Sequence, residues 1–184
     1  MSTVSIILII VAICAVALSA WMFFEKKRTQ RLRAKFGPEY DRMVEASGRR
    51  PAEATLEERA KRVEKMPIRA LRNEERDQFA ERWRKEQALF VDDPRLAVEN
   101  ADRLVIEVMR ARGYPMGEFE QRAADISVDH PRVVENYRAA HEIAARDSRG
   151  KVTTEELRRA MVHYRALFED LLEEHVIVHE EVRR

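Results

Sequence analysis

Residues 4–24 read VSIILIIVAICAVALSAWMFF, twenty-one positions without a charge, and residues 25–35 read EKKRTQRLRAK, six Lys or Arg against one acid. At about 1.5 Å per residue, twenty-one helical residues span roughly 31 Å, close to the ~30 Å of a bilayer's hydrocarbon core. Five Ile, two Leu, three Val and two Phe favour insertion, and no Asp, Lys or Arg opposes them. Pro and Gly are absent from the run, so each backbone group can close its own helical hydrogen bond in lipid. Trp21, Phe23 and Phe24 lie at its charged end, where aromatic rings suit the interface.

Orientation follows from charge. Ahead of the run stand only Met1 to Thr3, whereas Lys26, Lys27, Arg28, Arg31, Arg33 and Lys35 follow it closely. The positive-inside rule then puts the C-terminal part in the cytoplasm, on the inner side of the plasma membrane. The same six side chains are expected to attract anionic lipid headgroups. A cleaved signal peptide is the competing reading, since Ala15-Val16-Ala17 resembles a cleavage site and would make the chain an exported, envelope-facing protein. Against it, a basic n-region is lacking and the apolar run continues seven residues past Ala17. A lipoprotein needs a small residue before Cys14, and Ile13 stands there.

The net charge of +1 is unevenly distributed. Residues 25–35 contribute 6 − 1 = +5, which leaves residues 36–184 with 28 basic and 32 acidic side chains, or −4. A nucleic-acid binder carries its basic excess on the folded domain, so this balance argues against DNA or RNA as a partner. The single cysteine, Cys14, lies in the apolar run, so the remainder has no disulfide, thiolate nucleophile or cysteine metal site.

Five glycines and six prolines punctuate the rest. Phe36-Gly37-Pro38 ends the first helix, and a short helix from Glu39 to Ala46 closes at Ser47-Gly48. Pro51 opens a charged helix that Met66-Pro67 ends. Asn73 is the expected N-cap of a helix with Phe79, Trp83 and Phe90 on one face. Asp93-Pro94 caps the next, which carries the stripe Ala97, Ala101, Leu104, Val105 and Val108 up to Gly113-Tyr114-Pro115. Glu118 to Ile126 is a shorter helix, and Asp129-His130-Pro131 opens another with Val134, Tyr137, His141 and Ala144 on one side, broken by Ser148-Arg149-Gly150. Thr153-Thr154-Glu155-Glu156 is a capping box before Leu157, Met161, Tyr164, Phe168 and Leu171, with helix possible up to Val178. Val176-Ile177-Val178 is the lone β-branched run outside the first helix. The expectation is an all-α chain: an N-terminal transmembrane helix followed by an irregular helical bundle. Residues 1–24 form the tail and anchor, 25–72 a basic juxtamembrane region with short helices, and 73–184 the bundle with a frayed end.

Candidate chemistry is sparse. His141 lies on an apolar stripe as a general base or, more simply, as a histidine at the core edge. Asp129 can orient His130 as in a proton relay or serve only as a cap, with no Ser or Cys nucleophile at a recognisable spacing. His175 and His179 stand four apart, a helical spacing that lets two imidazoles meet one metal, with Glu174 and Glu180 beside them, but two histidines near a terminus do not make a closed site. Asp92-Asp93 and Glu173-Glu174 read as solvated helix ends, and no phosphate loop or dinucleotide fingerprint is present. Tyr114-Pro115-Met116 reads as an exposed apolar tip able to touch a partner. No catalytic, cofactor or metal residue is therefore assigned.

Four segments look familiar together: RLRAKFGPEYDR at 31–42, PIRALRNEERDQFAERWRKEQALFVDDP at 67–94, VMRARGYPMGEFEQRAADISVDHPRVVENYRAAHEIA at 108–144 and ELRRAMVHYRALFEDLL at 156–172. They resemble an uncharacterised bacterial family of small membrane proteins, some labelled secreted, with one N-terminal apolar segment and a helical remainder. DHPRVVENYRAAH is the most distinctive part. The resemblance implies architecture and a bacterial origin, and no activity or site residue. The function expected is that of a membrane-anchored, non-catalytic protein-interaction module. Its rivals are a small helical enzyme or metal-responsive sensor using His130, His141 or the His175/His179 pair, and the exported protein above.

Overall fold

A computed structural model describes residues 3–147 and 152–173, with side chains from Ala12 onward. Among these residues the chain is all-α, with eight helices and no strand. The helices are α1 (Thr3–Phe36), α2 (Pro38–Ser47), α3 (Arg49–Val63), α4 (Asn73–Asp92), α5 (Pro94–Arg112), α6 (Phe119–Asp129), α7 (Val134–Asp147) and α8 (Thr154–Leu172). No helix among the described residues is long and apolar enough to cross a membrane. The expected span Val4–Phe24 is only partly covered, since the side chains of residues 4–11 lie outside the described set. Ala12–Phe24 amounts to thirteen residues, about 20 Å of helix against ~30 Å of hydrocarbon. The described part of the segment does not by itself make a transmembrane helix.

The chain divides into two compact units, Met1–Glu57 and Glu58–Arg184, and α3 straddles the division. In the first unit α1 passes from the apolar run straight into the basic stretch without a break. Gly37, with φ of 50°, turns the chain, and Pro38 starts α2 because its missing N–H would be unpaired there anyway. Leu32, Phe36, Tyr40, Ala52 and Leu56 are buried.

In the second unit α5 packs on α4 and α8, and α7 packs on α8. Asp93 caps α5, its Oδ1 accepting from the Leu96 N–H at 3.0 Å. Thr153 and Glu156 form the expected reciprocal box at the start of α8. The expected apolar stripes of α5 and α8 are buried. Gly113 ends α5 in the left-handed conformation, with φ of 97°, and a Cβ there would lie 2.5 Å from the Pro67 carbonyl oxygen. That close approach lets the Arg69 N–H donate to the Arg112 carbonyl at 2.8 Å.

Trp83 stacks on Phe168, ring centroids 4.6 Å apart, and so joins α4 to α8. Its Nε1–H is buried with no hydrogen-bond partner among the described residues. An unpaired buried donor costs about 1–3 kcal/mol. Trp83→Phe keeps a ring in the stack and removes that donor, so its stability should stay within about 1 kcal/mol of the parent in chemical denaturation. A loss of about 3 kcal/mol or more, as for an ordinary core truncation, would show that the indole N–H is satisfied in solution.

Several boundaries differ from expectation. Helix α3 begins two residues before Pro51, which falls in its first turn, and it ends at Val63 rather than at Met66. Arg72, not Asn73, is the N-cap of α4, because Glu75 Oε2 accepts from the Arg72 backbone N–H at 2.9 Å. Asp129 does not open α7: α6 runs through Asp129, His130 is its C-cap, and α7 begins at Val134. Ser148-Arg149-Gly150 and Val176-Ile177-Val178 lie outside the described residues.

Candidate functional site

Three polar clusters stand out, and the sequence gives only fragments of each. The first lies below the apolar run. On α3, Arg49 Nη2 is 3.6 Å from Glu25 Oε2, Glu53 Oε1 accepts from Thr29 Oγ1 at 2.7 Å, and Glu57 takes Arg28 through two hydrogen bonds at 2.7 and 3.0 Å. Higher numbers on α3 meet higher numbers on α1, so the two helices run parallel there. Helix α2 returns between them: Arg33 Nη2 lies 3.2 Å from Asp41 Oδ1, and Tyr40 donates to Glu53 Oε1 at 3.0 Å. Burial, helped by Glu53, raises the pKa of the Tyr40 hydroxyl. The chain thus goes down, up and down, and the α2–α3 turn comes back level with Glu25.

The pairing divides the expected headgroup ligands. Arg28 is held by Glu57, Arg31 lies 3.5 Å from the same carboxylate, and Arg33 meets Asp41. Lys26, Lys27 and Lys35 are exposed, and Lys27 Nζ sits 4.7 Å from the centre of the Phe23 ring.

The second cluster is built on His130, buried with only 2% exposure. Its Nδ1 contacts Asp170 Oδ2 on α8, and its Nε2 lies 3.3 Å from Arg112 Nη1 on α5. A guanidinium only donates, so Nε2 accepts and Nδ1 carries the proton that goes to Asp170; this assigns the neutral imidazole from its partners. Arg112 Nη1 also donates to the Leu171 carbonyl at 3.0 Å, an orphan acceptor in the last turn of α8. The His–Asp pair resembles a catalytic dyad, but the ring nitrogen that would face a substrate is occupied by Arg112 inside the core. The arrangement buckles the C-terminal ends of α5, α6 and α8 together. Asp129 is turned elsewhere and accepts from the Tyr114 hydroxyl at 2.8 Å. Tyr114 is therefore buried at 3% exposure, and the expected exposed tip reduces to Pro115, with Met116 partly covered.

The third cluster is a pair of buried tyrosines. Tyr164 donates to Asp102 Oδ1 at 2.9 Å, and Tyr137 accepts from Arg122 Nε at 3.1 Å. Burial raises the pKa of both hydroxyls. The Asp102 carboxylate adds to the shift at Tyr164, while Arg122 opposes it at Tyr137. Nearby, the fully buried Asp125 carboxylate receives Arg62 Nη2 at 2.7 Å and Gln121 Nε2 at 2.9 Å, which ties the end of α3 to α6.

His141 is half-buried, stacked flat on Phe119 with ring centroids 3.6 Å apart, an edge-of-core position. His163, which no motif marks, lies 2.8 Å from Asn136 Oδ1 through Nδ1. His175, His179, Glu174 and Glu180 lie outside the described residues. Among the described residues, no group of three or more His, Cys, Asp or Glu side chains is placed to hold a metal ion. Arg112 and Asp170 are the members that sequence reasoning missed; 18 and 40 residues from His130, they carry no local signal. No protein-family model, curated protein or solved structure matches the chain.

Proposed function

We propose that this chain is a single-pass, membrane-anchored interaction module without catalytic activity. Residues 4–24 span the bilayer, the basic collar meets its headgroups, and the helical remainder faces the cytoplasm to bind a protein partner. One observation carries the reading. Every side chain described from Ala12 to Phe24 is exposed, including Val16 at 70%, Trp21 at 53% and Phe24 at 69%, so this apolar surface is not buried among the described residues. In water such a surface is a liability, and in lipid it is satisfied. The sequence extends the run through residues 4–11 to twenty-one uncharged positions, enough to span the hydrocarbon core. The buried, fully occupied His130 supports a structural rather than a catalytic use of the histidine cluster. Tethering acts by raising the local concentration of the module at the membrane. It is also the architecture implied by the bacterial family that the quoted segments resemble.

The test is extraction and topology. The full chain expressed in bacteria should stay in the membrane pellet through alkaline carbonate. A C-terminal fluorescent-protein fusion should fluoresce, and a C-terminal alkaline phosphatase fusion should stay inactive. Release into the supernatant, or a mature chain in the medium beginning near Leu18, would overturn the anchor. Cross-linking and pull-down from detergent extracts, beside a chain lacking residues 1–24, tests the module; recovery of no specific partner from either would overturn it.

A further inference from the structure

We infer that Lys26, Lys27 and Arg50 form one binding patch for the phosphodiester headgroups of anionic lipids, with Arg50 brought to it by the fold. The inference rests on the membrane-anchor reading and refines which side chains touch the bilayer.

The argument begins with the acids of Met1–Glu57. There are six: Glu25, Glu39, Asp41, Glu45, Glu53 and Glu57. Five of them face an arginine: Glu25 with Arg49, Glu39 with Arg42, Asp41 with Arg33, and Glu53 and Glu57 with Arg28, while Glu57 also meets Arg31. Five arginines are thereby engaged within the fold. The surplus is Lys26, Lys27, Lys35 and Arg50, all exposed and without an ion-pair partner among the described residues. The Glu25–Arg49 contact has a double effect. It neutralises the single acid of the 25–35 stretch, and it fixes the first turn of α3 at the edge of the apolar run, with Arg50 as the next residue.

Distance then selects among the four cations. The headgroup layer is about 5–8 Å thick on each side of the hydrocarbon core. Lys26 and Lys27 lie two and three residues past Phe24, roughly 3–5 Å along the helix axis, and Lys27 lies against the Phe23 ring. Arg50 follows Arg49, which pairs with Glu25, so it stands at the same depth. Lys35 is eleven residues past Phe24, about 16 Å down, beyond the layer and about two Debye lengths away at physiological salt. Glu45, the remaining acid, lies two residues before the end of α2, about one helical turn below the patch by the antiparallel register of Arg33 with Asp41. Three cations at one level around the helix, beside 69%-exposed Phe24 and outnumbering Glu45 about a turn below, complement a phosphodiester layer.

The experiment uses the full chain in phosphatidylcholine vesicles containing a minor fraction of phosphatidylglycerol. Spin-labelled phosphatidylglycerol or phosphatidylcholine reports the motionally restricted lipid at the protein surface. The parent chain should enrich the anionic label over the neutral one, by up to about fivefold per cation at low salt. Lys26→Gln/Lys27→Gln/Arg50→Gln should bring the two labels level, Arg50→Gln alone should remove a clear share, and Lys35→Gln should change nothing. Enrichment unaltered by Arg50→Gln, or lost equally with Lys35→Gln, would overturn the patch. A restricted population without anionic preference would overturn it while leaving the anchor intact, and no restricted lipid for either label would overturn the anchor itself. Arg50 and the two lysines are exposed, so unchanged helical melting in each variant separates lipid contact from misfolding.

Discussion

Between pH 8 and pH 11, Tyr114 and Tyr164 are expected to remove about 3 kcal/mol from the stability of the Glu58–Arg184 unit. Burial, reinforced by Asp129 at Tyr114 and by Asp102 at Tyr164, holds both hydroxyls protonated well past the ordinary tyrosine range. In the unfolded chain the same groups ionise near pH 10. A folded-state pKa above the unfolded one means that the stabilising contribution is complete below about pH 10 and is lost as pH rises toward the folded value. One unit above the unfolded pKa, each tyrosine has given up about 1.4 kcal/mol, and the two together about 3 kcal/mol. Chemical denaturation in detergent at a series of pH values measures the slope, and Tyr114→Phe or Tyr164→Phe should each flatten it by about 1.4 kcal/mol at pH 11. All four tyrosines of the chain have raised pKa values, so absorbance at 295 nm provides an independent check. Tyrosinate should appear with loss of near-ultraviolet circular dichroism. An ordinary titration near pH 10 with the fold intact would refute the buried networks.

Much of the helical layout is legible from the sequence because its stops are local. Phe36-Gly37-Pro38, Ser47-Gly48, Asp93-Pro94 and the box at Thr153 each act within about one turn, and each sits at an observed helix boundary. Asp129-His130-Pro131 misleads for an equally physical reason. It has the same acid and proline signals as Asp93-Pro94, but its carboxylate is claimed by the Tyr114 hydroxyl fifteen residues back, and α6 continues through it. The cap of α4 falls at Arg72, one residue before the expected Asn73, because the donor is a backbone N–H and any residue but proline supplies one. The polar clusters are legible only as isolated members. His130 is conspicuous in the sequence, but Arg112 and Asp170 look like two more surface charges until three helix ends meet. The same holds for the collar, where Arg28 and Arg50 read alike along the chain and only the parallel course of α1 and α3 separates the one paired with Glu57 from the one left exposed.

Arg112→Ala should cost about 3–5 kcal/mol, the largest single-residue effect expected of the buckle. Arg112 is 4% exposed and supplies the donor for two buried acceptors, the Leu171 carbonyl at 3.0 Å and His130 Nε2 at 3.3 Å. Truncation strands both, at about 1–3 kcal/mol each, and also removes the packing of a buried aliphatic stem. Loss of the buried charge, and of an Nε–H that already lacks a hydrogen-bond partner among the described residues, offsets part of that cost. Arg112→Lys keeps a donor within reach of one acceptor but not the planar fork, and should fall between the parent and the alanine variant. A double-mutant cycle with His130→Ala should give a coupling of about 1–3 kcal/mol, because each substitution removes part of the other's partner. The cycle also decides the role of the histidine. A buckle requires strong coupling in stability with no substrate present, whereas a relay residue held for chemistry could be removed with little loss of fold. Additive effects, or an Arg112→Ala variant within about 1 kcal/mol of the parent, would mean that the three helix ends are held by packing alone and that His130 is free for another use.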